Sequence, residues 1–302
     1  MVARDRRNAI MLTVMASLIW GTSFPGTKAG LEHAGNDVFF LWLRFVVAIV
    51  ITLPVVVYLR KMSLSIFKHP VIWLIGGFNA AGFIMQYVGL TITTASKTAL
   101  LVDINVVGVA ILSYFIFKER LGKMQAAGIV CGTIGVFFLT LNKDLVFDQD
   151  QVLGDVMVYL AGWSWAFFIV FNKKMLGKYN GVEISSAAIA TCTVWLTLPT
   201  MYLGFSGADF AIETTGWAFV LYLGLFCTSI ATLLWALGLE GVSATASATI
   251  MLVEVLTALA ISIFWLHETM STAAAFGSLL VLSAIYLVAG TGSGEKEPVK
   301  SA

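Results

Sequence analysis

The stretch YVGLTITTASKTALLVDINVV, Tyr87 to Val107, returns later in the chain as ALGLEGVSATASATIMLVEVL, Ala236 to Leu256, at a constant displacement of 149 residues. Gly89 meets Gly238, Ala95 meets Ala244 and Asn105 meets Glu254; further on, Glu119 meets Glu268 and Gly128 meets Gly277. The fronts of the two halves echo as well. SLIWGTSFPGTK aligns with AGWSWAFFIVFNKK, which sets Trp20 against Trp165 and Lys28 against Lys173, and Pro54 corresponds to Pro199. The chain is therefore a duplication, and its architecture turns on how many helices each copy holds.

Composition sets the solvent. Of 302 residues 59% are hydrophobic and only 12% charged, with a mean hydropathy of +0.91. A soluble domain carries roughly 25% charged residues, so this chain lacks the polarity to coat a soluble surface and reads as an all-α polytopic membrane protein. A helix needs about 20 apolar residues to cross the hydrocarbon. Such runs fall near 8–30, 37–59, 71–92, 95–117, 125–141, 154–174, 184–205, 216–239, 244–266 and 272–289. That makes ten spans, five per copy, with the third and fourth and the eighth and ninth joined by mere turns. Five is odd, so the copies enter the membrane in opposite senses. Inverted duplication gives many secondary transporters a pseudo-two-fold axis in the membrane plane.

Lysine and arginine fix the expected orientation. Fourteen of them, including Arg4, Arg6, Arg7, Arg60, Lys178 and Lys300, fall on one set of loops, against Lys28 and Lys143 on the other. Both termini are thus expected in the cytoplasm of a cell whose plasma membrane holds the protein, and the acidic segment Asp144, Asp148, Asp150, Asp155 is expected to face outward. The N-terminal apolar run is longer than a signal-peptide core and has no A-x-A site after it, so it reads as a retained first helix. Residues 291–302 read as a flexible tail. The net charge of +1 offers nothing to nucleic acid. Cys131, Cys192 and Cys227 sit in apolar runs with no paired spacing, which implies neither a disulfide framework nor a metal site.

With the repeat in view, the chain resembles the drug/metabolite transporter superfamily, specifically the EamA-type ten-helix permeases. LIWGTSFPGTKAGL, FFLWLRFVVA, VGLTITTASKTALLVDINVV, FKERLGKMQAAGIVCGTIGVFFL and GLEGVSATASATIMLVEVLTALAISIFWLHETMS carry the resemblance, which covers roughly residues 8 to 290. It implies two repeats, 8–141 and 154–290, and transport of small metabolites, often export of amino acids or related compounds, with no ATP hydrolysis and no cofactor. Two departures stand out. The Glu-Pro pair usual late in each repeat reads Asn105-Val106 and Glu254-Val255 here, and Asp103 is an added acid.

Charges at membrane depth locate the candidate site. An Asp, Lys or Arg at the centre of a span costs about 2.5–3.5 kcal/mol on insertion scales, so such residues turn to a bundle interior or an aqueous cavity. Glu254 stands halfway along the ninth span. It is the leading candidate for coupling a proton, for holding a substrate amine, or for an interhelical hydrogen bond. Lys97, Leu101 and Asn105 share one helical face; Lys97 either lines the path or snorkels to the helix end. Asp103, about 240° around from Lys97, joins that path only if the helix unwinds; otherwise it pairs with Arg44 or another helix, and it is the second coupling candidate. Asn79 and Gln86 form a stripe on the third span, answered by Thr228, Thr232 and Trp235 on the eighth. Trp20, Ser23 and Thr27 on the first span, with Trp165, Phe168 and Asn172 on the sixth, complete an aromatic pocket with a few polar anchors. Interfacial tryptophans and ordinary interhelical bonds are the alternative reading of the same residues.

Gly128, Gly132 and Gly135 read as a packing face, Pro25 as a kink in the first helix, and Glu119 and Glu268 as acids at the starts of the fifth and tenth helices. His33, His69 and His267 are scattered, and no HExxH, G-x-S-x-G or Walker loop occurs, so an intramembrane enzyme is not expected. The function read from the chain is a secondary transporter, and more specifically an exporter, of small amphipathic metabolites such as amino acids. Protons are a candidate coupling ion, and a passive channel or facilitator is the alternative. The expected partners are a small-molecule substrate and membrane lipid.

Overall fold

The computed structural model describes residues 5–58, 63–117, 123–139, 149–251 and 253–290. Among these the chain forms ten membrane helices and no strand: α1 (Arg6–Leu31), α2 (Asp37–Tyr58), α3 (Pro70–Ile92), α4 (Ala95–Phe117), α5 (Lys123–Leu139), α6 (Gln149–Met175), α7 (Gly181–Phe205), α8 (Thr214–Leu239), α9 (Ala244–Phe264) and α10 (Thr272–Gly290). Eight are long and apolar enough to cross a bilayer. The other two, α5 with 17 residues and α10 with 19, lie at the short end of the usual range of about 17–25 and pack along each other. In hydrocarbon every backbone group must find its partner internally, and the helix ends show how this is met. Thr94 caps α4 by accepting from the Lys97 amide at 3.1 Å. Asn180 and Glu183 form a reciprocal box at the start of α7 (3.0 and 3.2 Å).

The duplication is written into the packing. α3 lies along α6 as α8 lies along α1, α4 meets α6 as α9 meets α1, and α2–α7 and α5–α10 pair directly with their counterparts. The two aligned lysines make the same bonds on opposite faces of the bundle. Lys28 Nζ donates to the carbonyls of Leu90 (3.0 Å) and Thr93 (2.5 Å), closing the end of α3. Lys173 Nζ donates to Leu239 (3.0 Å) and Val242 (2.6 Å), closing the end of α8. Leu239 and Val242 lie 149 residues beyond Leu90 and Thr93. A cation at a helix C-terminus satisfies otherwise orphaned carbonyls and opposes the dipole. The protein is thus an all-helical membrane protein of two inverted five-helix repeats.

Unbroken helices are the expectation apart from the kink at Pro25, and the structure departs from it at three further places. α4 is interrupted between Val102 and Asn105, and α9 leaves the regular helix at Met251, within one residue of the equivalent point of the other repeat. In both the hydrogen-bond ladder slips from i−4 to i−3: Val106 N takes Asp103 O (3.1 Å), and Glu254 N takes Met251 O (2.9 Å). α8 widens into a π-helical stretch over Leu223–Ile230. In α1 the break falls at Thr22, just before Pro25, which has no amide to donate.

Two acids sit elsewhere than expected. Asp155 does not face outward in a loop; it is 1% exposed within α6, where it binds Lys97 and Thr93. Glu268 serves α4 rather than α10, accepting from the amides of Ala95 (2.8 Å) and Ser96 (3.0 Å) and from Ser96 Oγ (2.7 Å). The positive end of α4 supplies two free amides there, the stronger attraction for a carboxylate. Glu119 lies outside the described residues, as do Arg4, Arg60, Lys143, Asp144 and Asp148.

Gly89 sits where α3 and α6 approach closely. A Cβ there would stand 2.6 Å from Val158 Cγ2 and 2.8 Å from the Gly154 carbonyl. Backbone cannot yield as a side-chain tip can, so Gly89→Val should cost roughly 1–3 kcal/mol or more and lower the melting temperature of the purified protein. Gly77→Ala, whose Cβ would meet Trp195 at 3.4 Å, should melt close to wild type. A Gly89→Val protein as stable as Gly77→Ala would remove close helix approach as the reason for this glycine.

Candidate functional site

The two helix breaks face one another across a cavity with about 70 Å³ of room for water centres, several times the roughly 10–15 Å³ one water requires. Its lining comes from both repeats: Trp20, Ser23 and Phe24 of α1; Arg44 and Phe45 of α2; Asn79, Phe83 and Gln86 of α3; Val102, Asp103 and Asn105 of α4. The second repeat adds Trp165, Phe168 and Ile169 of α6, Ile189 of α7, Cys227, Thr228, Thr232 and Trp235 of α8, and Met251 and Glu254 of α9. Among the described residues none of the lining comes from α5 or α10, which pack outside it.

The aromatic wall is braced from behind. Trp235 stacks on Phe168 (5.4 Å between centroids, 22° between planes) and lies 6.0 Å from Trp20. Each indole also has its N–H satisfied: Trp235 donates to Ser247 Oγ (3.0 Å) and Trp20 to the Cys227 carbonyl (2.7 Å). That carbonyl lies in the π-helical stretch of α8, where Thr228 and Ser229 hydroxyls reach back five residues, to Leu223 (3.0 Å) and Gly224 (3.1 Å). A π turn inside a helix often marks a functional position, and here it serves both Trp20 and Arg44. Trp165 donates to Asn79 Oδ1 (3.3 Å) and meets Phe83 edge-on at 5.1 Å.

The opposite character is supplied by Arg44, Asp103 and Glu254. Arg44 is 1% exposed; its Nε donates to Thr228 Oγ1 (2.6 Å), its Nη1 to Tyr87 Oη (3.1 Å), and its guanidinium lies 4.8 Å over the Phe83 ring. Asp103, expected to pair with Arg44 or another helix, does neither. Its Oδ1 accepts from Asn105 Nδ2 at 3.4 Å and its Oδ2 has no partner among the described residues. The unwound turn at Asp103–Ile104 is the cause, because it lets Asp103 and Asn105 enter one cavity although a regular helix would point them apart. Glu254, 8% exposed, stands within electrostatic reach of both Asp103 and Arg44.

Of the candidates read from sequence, Trp20, Ser23, Asn79, Gln86, Asn105, Trp165, Thr228, Thr232, Trp235 and Glu254 line the cavity, as does Asp103. Three lie elsewhere. Thr27 is buried and donates to Tyr87 Oη at 3.5 Å. Asn172 donates to the Phe168 carbonyl at 2.8 Å. Lys97 neither lines the cavity nor snorkels: its Nζ binds Asp155 Oδ2 (2.8 Å) and Gln151 Oε1 (3.3 Å). Phe45, Phe83, Ile189 and Cys227 are lining residues that the sequence reading missed. Phe83 was legible, one turn from both Asn79 and Gln86, whereas Ile189 carries no sign that separates it from other apolar residues.

A profile of the EamA-like transporter family matches residues 7–141 and 152–290. An uncharacterized transporter of Archaeoglobus fulgidus is 28% identical over 284 residues, covering 92% of this chain and 96% of that protein. The uncharacterized transporter YoaV of Bacillus subtilis is 27% identical over 290 residues, with coverage of 92% and 96%. A protein of Salmonella typhimurium named "Probable amino-acid metabolite efflux pump" is 24% identical over 289 residues, with coverage of 91% and 93%. A crystal structure superposes with a TM-score of 0.69 at 17% identity, covering 96% of this chain and all of the other, a likeness of fold.

Proposed function

The chain belongs to the EamA-like transporter family, and from that premise we propose that it is a secondary exporter of small amphipathic metabolites such as amino acids, working by alternating access around the cavity between the α4 and α9 breaks. That it is a membrane transporter follows from the family and its relatives; substrate, direction and coupling are our reading. The observation that carries it is the convergence of both inverted repeats on one cavity, with a broken helix from each facing it. Discontinuous helices at a repeat interface are where transporters hold substrate and coupling ion. Lys28 and Lys173 tie down the equivalent turns on opposite faces, which supports alternately released closures rather than a standing pore. The name of the Salmonella typhimurium relative supports export of an amino-acid metabolite. We place the protein in the plasma membrane with both termini cytoplasmic, on the asymmetry of lysine and arginine.

Glu254 is the proposed proton-carrying group, as a carboxylate at mid-depth that reaches the cavity and has a second acid, Asp103, beside it. Export in proteoliposomes should respond to a pH gradient in wild type, while Glu254→Gln should transport without that response. A mutant whose flux follows the gradient as wild type does would remove Glu254 from coupling. Absence of flux for every metabolite tried, with folded protein, would sink the transporter assignment itself.

A further inference from the structure

The polar end of the cavity holds more hydrogen-bond acceptors than the protein satisfies. Gln86 Oε1, Asp103 Oδ2 and Asn105 Oδ1 are all buried and without a partner among the described residues, and all three residues line the same space. Buried polar groups normally find partners, and one left unmade costs about 1–3 kcal/mol. Three such oxygens in one cavity describe the ligand that completes them. The orientation of Asn105 is fixed by the bond its amide donates to Asp103; turned over, its oxygen would face the carboxylate. The charges agree. Asp103 and Glu254 stand against a single guanidinium, Arg44, whose bonds run to Thr228 and Tyr87 on the α8 and α3 side.

We propose that Gln86, Asp103 and Asn105 form the subsite that receives a primary ammonium group of the substrate. This rests on the reading of the cavity as the substrate site. A protonated primary amine carries three donors and no acceptor, matching three acceptors that lack donors, and its charge meets Asp103. A quaternary ammonium of equal charge has no donor to give and would depend on the aromatic faces of Trp20, Trp235 and Phe168 alone. The subsite therefore selects by hydrogen bonds, not by charge alone. A site built to hydrogen-bond a substrate group rejects analogues lacking it far more strongly than a greasy pocket rejects a missing methylene.

The test uses the full chain in lipid nanodiscs and three probes with one aromatic body: phenethylammonium, its N,N,N-trimethyl analogue and 3-phenylpropionate, with binding read by calorimetry. Phenethylammonium should bind, and the other two about tenfold more weakly or worse. Asp103→Asn should lower phenethylammonium affinity about tenfold or more and narrow its advantage over the trimethyl probe. Gln86→Leu, which removes one acceptor and adds no charge, should do the same to a smaller degree, and it serves if Asp103→Asn fails to fold. Equal binding of the primary and quaternary probes overturns the subsite, as does failure of phenethylammonium to bind or wild-type affinity in both variants. Sodium competing with phenethylammonium, with that competition lost in Asp103→Asn, overturns it in favour of a metal-cation site. Binding without flux in proteoliposomes sinks the transporter reading and leaves the subsite standing; flux without amine preference does the reverse.

Discussion

Replacing Arg44 by methionine is expected to reduce flux about a hundredfold or more, and to cost measurable stability. Arg44 is the cation in the cavity wall and is 1% exposed. Methionine fills most of its volume but leaves Thr228 and Tyr87 without the donors now 2.6 and 3.1 Å away. Asp103 and Glu254 also lose the one positive charge that offsets them in the cavity. Removing the compensation of a buried charge costs roughly 3–5 kcal/mol, and each 1.4 kcal/mol is tenfold in a rate or binding constant. Arg44→Lys should recover only part of the flux, because a single ammonium replaces a fork that reaches Thr228 and Tyr87 at once and lies flat over Phe83, 4.8 Å from its centroid. Initial export rates and melting curves on matched amounts of folded protein decide it. An Arg44→Met protein transporting at the wild-type rate would mean that the guanidinium holds helices together and nothing more.

The frame of the molecule was legible because it is written in period and repetition. The displacement of 149 residues that aligns Tyr87–Val107 with Ala236–Leu256 reappears in the carbonyls that the two lysines cap, and the two i−3 slips fall within one residue of it. Hydropathy alone placed the ten spans to within a few residues. The polar stripe Asn79–Gln86 and its counterpart Thr228–Thr232–Trp235 line the cavity, since residues spaced by three, four or seven on a helix share a face whatever surrounds them.

What the sequence could not yield were the places where helices stop being regular. Helical geometry set Asp103 and Lys97 on different faces and left Lys97 to the cavity or to the helix end; the unwound turn at Asp103–Ile104 brings Asp103 to the cavity. That slip depends on tertiary support, as does the π turn that brings Thr228 to Arg44. No local propensity announces either. Lys97 was placed without its partner: Asp155, at the start of the sixth span, was counted with an outward-facing acidic segment, whereas it turns into the bundle and binds Lys97. Ion pairs between distant segments leave no trace in hydropathy.

That pair carries the other large expected effect. Lys97 Nζ lies 2.8 Å from Asp155 Oδ2, with the two side chains 13% and 1% exposed, and Asp155 also accepts from Thr93 Oγ1 at 2.8 Å. Lys28 closes on the Thr93 carbonyl beside it. The α3–α4 turn is thus bolted to α6 by a buried ion pair in addition to its lysine cap. The aligned α8–α9 turn is held differently: the positions equivalent to Lys97 and Asp155 are Ala246 and Ile10, and Glu240 at the end of α8 accepts from the Gly181 amide of α7 at 2.6 Å. Breaking a buried pair from one side strands a charge, so Asp155→Leu should destabilise by roughly 3–5 kcal/mol. Lys97→Met combined with Asp155→Leu should restore most of that loss, because an apolar pair of similar volume has no charge to strand. The loosening should also be one-sided. A thiol at Ala99, behind the α3–α4 turn, should react faster with a membrane-impermeant reagent in the Asp155→Leu background, while one at the equivalent Ala248 should not change. Additive losses in the double variant, or equal acceleration at both thiols, would mean that the ion pair supports the whole bundle evenly and is no closure of one face.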